Sequence, residues 1–529
     1  MLAAFAVQAA IADQNDALVL QERVLLDNTT ASWPSLRFHF MIKRSSMEVH
    51  GNSDFSVFAN PVVSNSSVQY DTFATFMEDS TRYNYTVVDG LGYASGSSLD
   101  DSSPHIECDD TDMVPSINSI VSALNEAVPV SSISSSSSGA IDCSSGNTFK
   151  TTVNGIDLGL CFSGSSGFTM YGSDMEIAVE YLESRENIVK PTFDDGEKLE
   201  CEKVASPASV TSIGTSFLTG QPLSPRETRR LRSMLININF SLGDDSCACK
   251  STPRPCFFLH GLGVKTEEPE NLDVFPTKYW GNMTDHAPCC SSIQYAMLDT
   301  VNNSWTDDEQ QQKVCDRALS VNEANQGSAI TDTIIITHSM GNLMLAGAIA
   351  KGKCSIASSS TWVGLSGPLR GSMASNYFQD SCKNDTNFVA EDLVAKTGYC
   401  PAVDGIISLA YEGESYSSPE LDAAYLAAQK AYRSNVDALM CSNGFSGLKS
   451  DRRWWYWTLG TIVPHHSFKN DGMVEFYSCA GGFSTADFGN SYEDKFYVTK
   501  LNHGDTAFRN GDGILNKAKM PVKWFECLL

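Results

Sequence analysis

The stretch Thr333-Ile334-Ile335-Ile336-Thr337-His338-Ser339-Met340-Gly341-Asn342, running on into Leu343 to Ala350, decides how this chain folds. Its first residues form a near-continuous apolar, β-branched run of the kind found in strands buried on both faces. Leu343 to Ala350 reads as a helix. A strand that passes into a helix through so short a turn holds the residue at the turn on an exposed apex, at the helix N-terminus. That residue is Ser339. Small side chains two residues before and two after it let strand and helix pass closely. Gly341 meets this need, whereas Thr337 stands where glycine is usual. A serine in such a turn is either a helix cap or a nucleophile.

Upstream, Phe257-Phe258-Leu259 is a second unbroken apolar strand and leads directly into His260-Gly261-Leu262-Gly263. Acyl transfer to a serine builds negative charge on the carbonyl oxygen under attack, and fixed donors must meet it. A Gly-rich loop after a buried strand supplies one N–H, with Leu262 the first choice and Gly261 the second. The N–H of Met340, next to the nucleophile, supplies the other. Read alone, His-Gly-Leu-Gly is only a turn and His260 a structural histidine.

The serine needs a histidine to accept its proton, and the histidine needs a carboxylate to fix its tautomer. Among nine histidines, His503 in Asn502-His503-Gly504-Asp505 follows the apolar strand Phe496-Tyr497-Val498 near the C-terminus. Asp471, in Asn470-Asp471-Gly472-Met473-Val474, lies in a turn between serine and histidine. The order Ser, Asp, His is the one expected for a nucleophile on a strand-turn-helix of an α/β sheet. Asp404 is the runner-up acid, Asp505 stands too near His503 along the chain, and His465 and His466 precede the acid.

These segments resemble the α/β-hydrolase superfamily, especially its lipase- and esterase-type serine hydrolases. His338-Ser339-Met340-Gly341-Asn342 is similar to the elbow of lipid acyl-hydrolases and acyltransferases, and Asn470-Asp471-Gly472 to the acid loop of several lipases. The resemblance covers residues 234–529 and implies a central, mostly parallel sheet flanked by helices. The expected fold class is α/β, an α/β-hydrolase domain with a cap insertion, preceded by an α+β domain. The expected chemistry is cleavage of a carboxylic ester through an acyl-enzyme on Ser339. Transfer of the acyl group to an alcohol uses the same groups, and a secreted binding protein on an inactive scaffold is the alternative from another class.

More residues than a simple crossover needs separate the strand candidate Thr361-Trp362-Val363-Gly364-Leu365 from Asp471, so residues 377–458 are expected to form a cap. They include Trp454-Trp455-Tyr456-Trp457. Trp454 and Trp455 suit contact with an acyl chain, a ring or a sugar, and equally the core of the cap. Arg370, after the strand, is placed to meet a carboxylate or phosphate, or a surface acid. Asp505 and Asp512 fit no standard calcium loop, so no metal or other cofactor is expected.

The remainder sets the context. At 529 residues the chain exceeds what one core usually organises. Residues 1–12 are apolar and end Ala10-Ile11-Ala12 before Asp13, like the remnant of a signal peptide. Residues 13–221 hold strand candidates (Leu36 to Ile42, Asn84 to Val88, Met175 to Tyr181), a helix candidate (Ser116 to Val128) and a serine-rich loop (Ser131 to Ser138), with no catalytic motif. Residues 222–233 carry Arg226-Glu227-Thr228-Arg229-Arg230-Leu231-Arg232, read as a linker that resembles a processing site.

Sixteen cysteines divide four and twelve about this linker, which fits disulfides closed within each domain; Cys247-x-Cys249 and adjacent Cys289-Cys290 lack zinc spacing. Sequons begin at Asn28, Asn65, Asn84, Asn239, Asn282, Asn302 and Asn384. Together these features point to a secreted protein. The net charge of −26 argues against nucleic acid and anionic membrane as partners. No stretch reaches the roughly 18 apolar residues of a membrane span. The expected partner is an ester substrate, with lipids among the candidates; oligomeric state is not legible.

Overall fold

Leu36 to Ile42 alternates apolar and polar residues, and in the computed structural model it is strand β1 (Ser35–Ile42), with Leu36, Phe38, Phe40 and Ile42 all buried. The structure describes residues 33–529 apart from 65–66, 99–104, 109–115, 136–138, 144–146, 192–200, 202, 224, 235–237, 244–245, 326, 384–398, 449 and 451–452. The expected signal-peptide remnant, Asn28, Asn65, Asn384 and residues 384–398, 449 and 451–452 of the expected cap lie outside the described residues; the rest of 377–458 is not a separate cap, because Pro419–Asn435 is a helix packed on the main core and Ala438–Ser442 is a strand of the parallel sheet. The chain divides into two units, Met1–Asp245 with Ile514–Asn516, and Ser246–Gly513 with Lys517–Leu529.

The first unit is built on hairpins: β2 (Asp54–Ser64), β3 (Ser67–Glu78), β4 (Thr81–Val88), β5 (Leu91–Ser98), β6 (His105–Cys108), β7 (Val128–Pro129), β10 (Thr148–Val153), β11 (Ile156–Phe162), β12 (Phe168–Tyr171) and β13 (Met175–Leu182). With β1 they form an antiparallel sheet in the order β6-β5-β4-β3-β2-β1-β13-β12-β11-β10-β7, and β14 (Ala208–Ser209) joins β3 to make twelve strands. Helix α1 (Ile117–Leu124) starts at Ser116, whose side chain accepts the Ser119 N–H, and buries Ile117, Ile120, Val121 and Leu124. In α2 (Ser212–Thr219), Phe217 lies edge-on to Phe149, Phe162 and Phe168 at 5.0–5.2 Å.

Two expectations change here. Part of the serine-rich loop is strand β8 (Ser132–Ser135), paired with β9 (Gly139–Ala140) and β15 (Asn239–Leu242), because the buried Ile133 and Leu242 give it an apolar cluster to join. The basic run, read as a linker, takes the form of helix α3 (Pro225–Met234), opened by a proline whose missing N–H costs nothing at a first turn. The division between units falls beyond it, after Asp245.

The second unit holds the site. Its strands β16 (Arg254–Leu259), β17 (Cys290–Ala296), β19 (Ile334–His338), β21 (Thr361–Leu365), β22 (Ala438–Ser442) and β23 (Phe496–Thr499) form a parallel sheet in the order β17-β16-β19-β21-β22-β23. A short pair, β18 (Ala329–Ile330) and β20 (Ser355–Ile356), stands apart. Alternate residues serve opposite faces. Phe257, Leu259, Ile335 and Trp362 join a core with helices α4 (Asp308–Ser320), α5 (Met340–Ala350) and α7 (Pro419–Asn435), while α6 (Met373–Cys382) and α8 (Arg453–Ile462) belong to a smaller cluster. Cys256, Phe258, Ile334, Ile336 and Val363 join a separate core with α9 (Pro521–Leu528). Burial on both faces accounts for the unbroken apolar runs.

The whole chain is thus mixed α/β, with one large antiparallel sheet and one parallel sheet. In the parallel sheet the strand order reverses between β16 and β19. Ligand crevices of open α/β sheets open at such a switch point, outside the carboxyl ends of the strands. The residues that follow those two strands are His260 and Ser339.

All sixteen cysteines form disulfides: Cys108–Cys201 and Cys143–Cys161 in the first unit; Cys247–Cys527, Cys249–Cys289, Cys256–Cys290, Cys315–Cys354, Cys382–Cys400 and Cys441–Cys479 in the second. Eight disulfides fit an oxidising compartment and leave no thiolate for zinc. No helix among the described residues is long and apolar enough to cross a membrane.

Candidate active site

β19 ends in Thr337-His338 and α5 begins at Met340, so Ser339 alone makes the turn. It does so at φ 55° and ψ −130°, a conformation rare for any residue but glycine and costing about 1–3 kcal/mol. Gly341 permits the crossing, since a Cβ there would stand 2.7 Å from the His260 carbonyl oxygen and 2.8 Å from that of Leu259. Thr337 is accommodated by hydrogen bonding. Its hydroxyl donates to Asn342 Oδ1 (2.6 Å) and accepts from Trp362 Nε1 (2.8 Å), while Asn342 Nδ2 donates to the carbonyls of Thr337, Ser339 and Leu365. Asn342 therefore ties the turn to the end of β21. Its buried amide was not singled out from the sequence, although its place within the motif could have marked it.

The three residues expected to act together are together. Ser339 Oγ lies 2.9 Å from His503 Nε2, and His503 Nδ1 lies 2.8 Å from Asp471 Oδ2. The main chain reinforces the pair, since the His503 N–H donates to the Asp471 carbonyl. The other carboxylate oxygen of Asp471 accepts the N–H groups of Met473 (2.9 Å) and Val474 (2.7 Å), which holds the acid in its turn. Ser339 and His503 are both buried, at 6% and 8% exposed.

The other candidates are engaged elsewhere. Asp404 is exposed at the start of a short helix, His465 pairs with Glu475 at 2.6 Å, and His466 pairs with Glu414. Both carboxylates of the discounted calcium site already take N–H donors: Asp505 from Leu448 and Asn510, and Asp512 from Val522 and Lys523.

The donor loop corrects one expectation. The Gly261 N–H is committed to the Tyr279 hydroxyl at 2.7 Å, so it does not face a substrate oxygen. What Gly261 supplies is room, because a Cβ there would strike Ser339 Cβ. Its carbonyl accepts from Thr300 Oγ1 (2.9 Å) and from His260 Nδ1 (2.7 Å). In a trans peptide the N–H points opposite to the carbonyl, so pinning the Gly261 oxygen fixes the direction of the Leu262 N–H. His260 is structural: burial holds its pKa down at about 4, and its Nε2 accepts the Leu298 N–H at 3.1 Å.

Of the expected substrate contacts, Trp455 belongs to an apolar cluster with Phe378, Leu262 and Met473, beside the donor loop and the acid loop. Trp454, on the same helix α8, is 62% exposed and turns to solvent. Arg370 is not a free cation awaiting a substrate, because its Nε pairs with Glu412 at 2.8 Å and its guanidinium lies over Tyr411. Tyr456 comes from α8 onto the site, with its ring 6.4 Å from His503, and a Cβ added at Gly472 would stand 2.6 Å from its carbonyl oxygen.

No family of known proteins matches the chain, and no curated protein does. Among solved structures, the lipase of Staphylococcus hyicus is similar over 52% of this chain and 95% of its own, with 13% identity and a TM-score of 0.28. The Vlm2 thioesterase domain, solved with a bound tetradepsipeptide, is similar over 50% of this chain and 93% of its own, with 10% identity and a TM-score of 0.19. Both likenesses are weak and partial.

Proposed function

We propose that the second unit is a secreted α/β-hydrolase that cleaves carboxylic esters through an acyl-enzyme on Ser339. The observation that carries this reading is the unbroken line Ser339 Oγ, His503 imidazole, Asp471 carboxylate, with contacts of 2.9 and 2.8 Å, at a serine held in a strained turn. His503 accepts the hydroxyl proton as Ser339 attacks the ester carbonyl, and Asp471 keeps the imidazole in the Nδ1–H tautomer and stabilises its cation. The N–H groups of Leu262 and Met340 meet the developing oxyanion. The proton then passes to the leaving alcohol, and water repeats the sequence in reverse to release the acid.

A panel of p-nitrophenyl esters of increasing chain length, run on wild type and Ser339→Ala, tests the reading. Turnover that survives Ser339→Ala removes it, and the chain length preferred by wild type decides whether long-chain lipids are substrates. The same groups serve transfer to an alcohol. Added alcohol acceptors in the same assay separate the two.

A further inference from the structure

Ser339 reacts only if three separate pieces of chain keep register: its own turn, the donor loop after β16 and the base loop after β23. One side chain outside all three touches the first two and reaches the third through a neighbour. The Tyr279 hydroxyl accepts the Gly261 N–H at 2.7 Å and stands 2.5 Å from His338 Nδ1. On its far side, His338 Nε2 is 3.0 Å from the His503 carbonyl oxygen and 3.1 Å from Thr506 Oγ1.

The protons can be assigned. The tyrosine has one, and since it accepts from Gly261 it donates to His338 Nδ1. His338 is then neutral with its hydrogen on Nε2, which donates to the His503 carbonyl. Burial, with the nearby His503 and Arg509, holds His338 well below the ordinary histidine range, in accord with this neutral form. Tyr279 is itself fastened. Arg509 donates from Nε and Nη2 to its carbonyl, both at 3.2 Å, and lies over its ring at 5.5 Å. Gly281 passes so close to the segment after His503 that a Cβ would strike the Phe508 carbonyl, and its N–H donates to Ala507.

We propose that Tyr279 is a positioning residue, which through His338 locks the oxyanion-donor loop and the loop of the general base to the turn that carries Ser339. Its ring packs among Phe275, Trp280 and His260, so a phenylalanine in its place keeps the packing and removes only the hydroxyl. The inference rests on the ester-hydrolase reading, and the two can fail separately.

Covalent labelling of wild type and Ser339→Ala by a fluorophosphonate probe tests the hydrolase reading first. With labelling established, Tyr279→Phe is assayed on a p-nitrophenyl ester well below its unfolding temperature. The expected result is a kcat lower by roughly 10- to 100-fold with KM within about twofold, since the loss is one of alignment and not of substrate contact. A kcat within about twofold of wild type, or a loss carried by KM alone, overturns the proposal. An independent readout is nitrogen NMR of the histidine rings in folded wild type. Neutral His338 protonated on Nε2 is expected, and a proton on Nδ1 overturns the proposal even if no ester is turned over.

Discussion

Thr337 stands two residues before Ser339 with no room for an idle side chain, and its hydroxyl is shared between Asn342 and Trp362. Thr337→Val keeps the shape and leaves a buried indole N–H and an amide oxygen unmet. Leaving such groups unpaired costs about 1–3 kcal/mol each, so the variant should lose roughly 2–4 kcal/mol, read by urea unfolding. At this scale the contact line proposed as a triad was legible because order along the chain is a sequence property: donor loop, serine, acid, base. The direction of a peptide plane is not. Gly261 therefore looked like an oxyanion donor although its N–H belongs to Tyr279. Tyr279 carried no signal at all, because its role comes from tertiary packing of a loop without a motif. Of the two readings of Arg370, the surface acid is the one found, and which acid was not legible because Glu412 lies 42 residues away along the chain.

At the scale of elements, the crossing of β19 and α5 depends on Gly341. Gly341→Ala sets a methyl group against two main-chain carbonyls that cannot swing aside. It should displace the donor loop and reduce ester turnover more than it reduces the unfolding temperature. The turn after His503 carries a second prediction. Burial pushes the Asp505 carboxyl up to about 6 from 3.8. The unfolded chain gives up this proton before the folded protein does, so the group's contribution to stability is full below about pH 4. It falls as pH rises to about 6 and is flat above, by an amount on the order of 3 kcal/mol. Stability measured at pH 4, 5, 6 and 7 should therefore show a falling component in wild type that Asp505→Asn lacks; parallel profiles would contradict this. Buried strands were readable from their unbroken apolar runs. Strand β8 was not, since a run of serines gains its strand from its partners, β9 beside it and β15 far along the chain. The helix α3 was masked by charge, which describes a surface and not a backbone.

For the molecule as a whole, Cys247–Cys527 joins residues 280 apart, binding the start of the second unit to its last helix. Closing so long a loop is worth on the order of 5 kcal/mol in chain entropy. Replacing both cysteines by serine should lower the unfolding temperature of this unit by roughly 5–15 °C, followed by calorimetry. Even cysteine counts on either side of the division were readable beforehand; which cysteine meets which was not, because connectivity depends on the fold. The central claim concerns one atom, Ser339 Oγ, and is tested most directly by a fluorophosphonate probe on the folded full-length protein, with peptide mass spectrometry to locate the adduct. A single adduct on Ser339 is predicted, lost in Ser339→Ala and strongly slowed in His503→Ala. Folded wild-type protein that takes up no probe, or takes it up at another residue, would contradict the account.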